Sequence, residues 1–155
     1  MAIEQWMWES ARVVVPSLLV IFGWMYVSYD NNKRETRKEK RQFLDRTILF
    51  LEDIAEDVVS YYITADQAEA QKLSSKIDPA LLRIEGTLNH LKLKDSAGKV
   101  VNAITLRDKI TNSGSWRSAQ KVALAPDCAT IYQINVAFAE LIGSLESAYT
   151  STYQK

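Results

Sequence analysis

Two apolar patterns divide this chain. Residues 13 to 29 (VVVPSLLVIFGWMYVSY) form a run of seventeen positions without a charge. Further on, Leu44, Ile48, Leu51, Ala55, Val58 and Tyr62 recur at spacings of four, three, four, three and four, with Phe43, Ile54 and Val59 widening the stripe. The second pattern predicts an amphipathic helix facing a core. No Gly or Pro lies between Gly23 and Pro79, so the first helix is expected to continue from the uncharged run. Carried backward, the register of the seam meets Arg37 and Arg41, and the seam stops there.

A second helix is expected to begin near Asp66 and to bury Leu73, Ile77, Leu81, Ile84, Leu88 and Leu91. Pro79 predicts a kink or a split within it, with Asp78 capping the second piece. The turn residues from Lys94 to Gly98 end it. Val100, Val101, Ile104 and Ile110 suggest a shorter third helix, and Ser115 is a candidate cap for a segment holding Trp116, Val122 and Leu124. Asp127, after Pro126, is placed to cap a last helix whose seam is Ile131, Ile134, Phe138, Leu141, Leu145 and Ala148. The final residues, from Tyr149 on, read as frayed. These elements predict an all-α chain with an antiparallel bundle of four to five helices.

The uncharged run reads as a single transmembrane helix. Seventeen residues span about 25 Å of helix against a hydrocarbon layer of about 30 Å, and snorkelling ends close the difference. Val13, Leu18, Leu19, Ile21, Phe22, Trp24 and Tyr26 are the expected lipid-contacting side chains. Trp6 and Trp8 precede the run, and Trp24, Tyr26 and Tyr29 cluster at its far end, where amphipathic rings favour the headgroup level. A cleaved secretory signal fits poorly, because Glu4 and Glu9 outweigh Arg12 and bulky residues fill the zone where small ones should precede a cut.

Charge adds an orientation. Lys33, Arg34, Arg37, Lys38, Lys40 and Arg41 follow the run, interrupted only by Glu35 and Glu39. They predict headgroup contacts and put the carboxyl-terminal side in the cytoplasm and the N-terminus outside. The expected organisation is a tail at 1–12, a membrane span at 13–30, a basic juxtamembrane segment at 31–42, a cytosolic bundle at 43–150 and a frayed tail at 151–155. No aromatic residues interleave with the basic block, which argues against nucleic-acid stacking. Between residues 47 and 71 there are six acidic residues and no basic ones, an expected solvated face.

Composition narrows the class without naming a reaction. Hydrophobic residues make up 47% and charged residues 25%, a globular balance that lets the part after the collar fold. Cys128 is the single cysteine, so no disulfide can form within one chain. The carboxylates at 52, 53, 56 and 57 lack the Glu-x-x-His partners of a bundle metal site, and Glu85 and His90 are five apart. The five glycines are too dispersed to cradle a phosphate. No metal or cofactor is expected.

One spacing carries catalytic chemistry. Arg83 and His90, the only histidine, are seven apart and return to nearly the same helix azimuth. The pair resembles the RNA-cleaving motif of HEPN-type ribonucleases, although a polar residue usually follows the Arg there and Ile84 does here. The resemblance covers one octapeptide. It implies a dimeric helical bundle in which the His moves a proton at a ribose hydroxyl and the Arg stabilises the phosphate.

The sequence therefore points first to a single-pass membrane protein whose cytosolic bundle serves as an interaction, scaffold or signalling module, with lipids, an unidentified protein or a second copy as partners. A membrane-tethered ribonuclease using Arg83 and His90 is the alternative. A membrane-disrupting effector that oligomerises is a further one.

Overall fold

The computed structural model of the chain describes residues 2–95, 97–113, 116–118 and 121–153, with side chains from Leu18 onward. Among them the regular structure is four helices: α1 (Ala2–Ile63), α2 (Gln67–Leu91), α3 (Ile104–Thr111) and α4 (Ala129–Tyr153). The chain divides into two compact units, Met1–Lys40 and Arg41–Lys155.

The first unit is helical from Ala2. Among the described residues no helix is long and apolar enough to cross a membrane. The predicted span lies within α1, with its side chains described from Leu18 to Tyr29. The side chain of Val13, like the others up to residue 17, lies outside those described. So do the side chains of the predicted tail at 1–12.

The second unit is the bundle. A three-residue connection turns α1 into α2, and the register of the hairpin is visible in three contacts. Lys76 pairs with Asp57 at 2.6 Å, the Arg83 guanidinium lies 4.7 Å from the Phe50 ring centroid, and His90 meets Phe43 edge-on at 5.9 Å. Each step moves seven residues down α1 and seven up α2, the repeat of antiparallel helices packed seam to seam. The backbone N–H of Leu124 donates to the Tyr62 carbonyl near the end of α1, and Arg41 reaches Glu146 and Tyr149 on α4. Thus α4 also runs antiparallel to α1. The short α3 joins α2 through Arg107–Glu85 at 2.9 Å and faces α4 through Lys109 and Gln133.

The core follows the predicted seams with one shift. On α1 the fully buried line is Leu44, Thr47, Leu51, Ile54, Val58 and Tyr61, joined by Tyr62, while Ile48, Ala55 and Val59 are half-buried. Thr47 occupies a core position because its hydroxyl donates to the Phe43 carbonyl at 2.8 Å, which satisfies the polar atom inside its own helix. Counting apolar residues alone passed over it. All six predicted seam residues of α4 are buried, together with Ala137 and Tyr149.

Several boundaries differ from expectation. Asp66 caps α2, its carboxylate accepting from the Ala68 N–H at 2.9 Å. Pro79, however, neither splits α2 nor leaves Asp78 as a cap. Both Pro79 and Ser75, whose carbonyl loses its helical donor, are exposed residues, the setting in which a missing helical bond costs least. Val100 and Val101 precede α3 and belong to a turn in which Asp95 accepts from Ala97 and Lys99. Cys128 rather than Asp127 starts α4, since its carbonyl takes the first helical bond from Tyr132. The tail is not frayed up to Tyr153: α4 continues, Tyr149 is buried, and its ring lies 5.0 Å from that of Tyr153. Ser115, the candidate cap, is outside the described residues, and the described residues between Trp116 and Leu124 are not helical.

Candidate functional site

Those non-helical residues form a strap over the end of α1. A helix leaves its last carbonyls without partners, and here the strap supplies them. Leu124 N–H donates to Tyr62 O at 2.9 Å and the Lys121 ammonium to Thr64 O at 2.5 Å. Lys121 also lies 4.8 Å from the Tyr61 ring centroid, a cation at the negative end of a helix dipole. Burial lowers the Lys121 pKa from its ordinary value.

Beneath the strap lies an aromatic group. The rings of Tyr61 and Trp116 are 4.6 Å apart, and Tyr61 meets Tyr62 edge-on at 5.1 Å. The Tyr62 hydroxyl donates to the Ile110 carbonyl, so the Ser113 hydroxyl donates to Tyr62 at 2.6 Å. Burial raises the Tyr62 pKa, opposed by the Ser113 hydrogen bond and reinforced by Tyr61. Arg117 adopts a left-handed backbone (φ 54°), unusual for a residue with a Cβ, which lets its N–H reach the Tyr61 hydroxyl at 2.7 Å while its guanidinium pairs with Asp78 on α2.

A cleft of about 500 Å³ opens between this strap and the first turns of α2, with Tyr61, Gln71, Ser75, Arg117 and Lys121 among its walls. On the other side of Arg117 a second cleft of about 460 Å³ contains Asp78, Leu82, Arg107 and Trp116. Sequence reasoning missed this arrangement. Its only local signal was Arg117 and Lys121 flanking a Trp116 that belonged to no clear seam.

The residues singled out from the sequence are distributed differently. Arg83 and His90 are both exposed and share one edge of α2, but each is packed on its own α1 aromatic, Phe50 and Phe43. The clefts beside the strap are lined by other residues. Arg34 pairs with Asp30 at 2.9 Å within the helix, and Lys33 and Lys38 are exposed. Arg37 and Lys40 are half-buried and engaged. Arg41 is drawn into the bundle, pairing with Asp45 at 2.9 Å and Glu146 at 3.4 Å. Of the acidic face, Glu52, Asp53 and Glu56 are exposed while Asp57 holds Lys76. Among the described residues no group of three or more His, Cys, Asp or Glu side chains is placed to hold a metal ion.

No family model matches the chain, and no curated protein or solved structure resembles it at a significant level. The fold and the strap together define an all-helical bundle with a capped hairpin at one end.

Proposed function

We propose that the protein is a single-pass membrane-anchored helical bundle that acts as an interaction, scaffold or signalling module, with its N-terminus outside and the bundle in the cytoplasm. One observation carries the anchor. From 18 to 29 every position is exposed except half-buried Ser28, and Leu19, Val20, Phe22, Trp24 and Tyr26, at 63–75% exposure, project to all sides of the helix. A helix that is apolar all round is stable in lipid or inside a core, and water penalises it at about 25 cal/mol per Å². The exposed cations at Lys33, Arg34 and Lys38 extend the same reading to anionic headgroups, at about 1 kcal/mol each near the surface.

Tethering in two dimensions raises the effective concentration of the bundle, so contacts through exposed Leu49, Leu82 or Ile104 gain strength without new chemistry. Carbonate extraction tests the anchor. The full-length chain should stay with the membranes and a chain starting at Lys33 should be released. Release of both chains removes the anchor and the module's location together. The ribonuclease alternative rests on the shared edge of Arg83 and His90, and a His90→Ala chain that loses RNA cleavage would establish it.

A further inference from the structure

The cleft beside the strap has a chemical character that the anchored-module reading does not use. Its described wall carries two cations, Arg117 and Lys121, and no carboxylate. Each cation is already held by a partner. Asp78, which lines the neighbouring cleft, fixes Arg117, and the Thr64 carbonyl with the Tyr61 ring fixes Lys121. A guanidinium has five N–H donors and an ammonium three, more than one carboxylate and one carbonyl can take. Both heads are thus positioned before any ligand arrives, which lowers the ordering cost of binding.

The opposite wall comes from the first turns of α2, a 25-residue helix whose N-terminal end is capped by the Asp66 carboxylate. It presents Gln71, whose amide both donates and accepts, and Ser75, whose hydroxyl donates to the Lys72 carbonyl at 2.7 Å and keeps its lone pairs as acceptors. Such groups match hydroxyls, whereas the cations match a phosphate. At about 500 Å³ the space falls in the range of small-molecule sites, about 300–1,000 Å³, and exceeds what a bare anion fills.

We propose that this cleft binds a small phosphorylated polyol, with the phosphate between Arg117 and Lys121 and the hydroxyls on Gln71 and Ser75. The site does not rest on the membrane reading. A soluble sugar phosphate and the headgroup of a phosphoinositol lipid share this chemistry, and the experiment separates them.

Calorimetric titration of the full-length chain, in phosphatidylcholine nanodiscs or in buffer if it proves soluble, uses inorganic phosphate, glycerol 3-phosphate and inositol 1-phosphate as probes. At least one polyol phosphate should bind about tenfold or more tightly than inorganic phosphate. Gln71→Glu places a negative charge at an exposed position of the wall, and should weaken that binding about tenfold or more while leaving the thermal midpoint of the unliganded protein unchanged. Arg117→Gln should weaken it as well. Nanodiscs containing phosphatidylinositol that suppress the titration assign the ligand to lipid, and unsuppressed titration assigns it to the soluble ester. Absence of heat with every polyol phosphate, equal binding of inorganic phosphate, or an unaffected Gln71→Glu chain overturns the proposal.

Discussion

The apolar residues of 18–29 and those of 44–62 belong to one helix assignment, α1, yet they meet opposite fates. In the second stretch all but exposed Leu49 fall on one side, with Leu44, Leu51 and Val58 at 0% exposure and Ile48, Phe50, Ala55 and Val59 half-buried at its margins. In the first they surround the helix, and no described side chain covers more than part of any of them. Periodicity, rather than hydrophobicity, separates a helix that a small bundle can bury from one that needs a different solvent. The polar residues follow suit. Along 44–62 all but buried Thr47 lie on the outer side, whereas in 18–29 only Ser28 and Gly23 interrupt the apolar surface.

The comparison breaks most visibly in the first region. Ile21→Asp with Phe22→Asp puts two charges near the middle of the run, where each costs about 2.5–3.5 kcal/mol in a membrane. The doubly substituted chain should leave the carbonate-resistant fraction while the circular dichroism of the bundle is retained. Unchanged extraction would separate this stretch from the membrane.

Core truncation gives the next largest effect, and it should be asymmetric. Leu51→Ala removes a fully buried side chain and should cost about 2–5 kcal/mol in denaturant unfolding. Leu19→Ala, at an exposed position, should leave the midpoint of the bundle unchanged. Equal losses from the two would mean that residues 18–29 are covered by the bundle after all.

A smaller effect is expected at the strap. Tyr62→Phe deprives the Ile110 carbonyl of its donor and should cost about 1–3 kcal/mol. The same hydroxyl gives a pH signature. Because burial raises the folded pKa above the ordinary value of 10.0, the unfolded chain gives up this proton first as pH rises. Stability from this group is full below pH 10.0 and is lost progressively above it. Comparing alkaline melting curves of the native chain and Tyr62→Phe checks the sign, since the substituted chain should lack this increment.

The smallest change sharpens the reading of α2. His90→Ala gives up one edge-on ring contact with Phe43 and should cost about 0.5–1.5 kcal/mol. With the protein acting as an interaction module, RNA turnover by wild type and His90→Ala should be indistinguishable from buffer.

Helical periodicity is written into neighbouring residues, so the sequence alone determined the all-helical class, the buried seam of α4, that of α2 apart from half-buried Leu73, and the start of α2 at Asp66. The seam of α1 was legible at Leu44, Leu51, Val58 and Tyr62, whereas Ile48 and Ala55 are half-buried and Tyr61 and Thr47 take core places, Thr47 because a hydroxyl bonded within its own helix looks polar in a list and apolar in a core. The Arg83/His90 spacing was legible too, but its partners Phe50 and Phe43 depended on how α1 and α2 align. Only the tertiary structure decided where Asp78, Arg117 and Lys121 meet. The strap has no repeat to read, and its contacts bridge positions from 39 to 62 residues apart. Such contacts form when bundle packing closes long loops, so their geometry is a property of the folded chain rather than of any local segment.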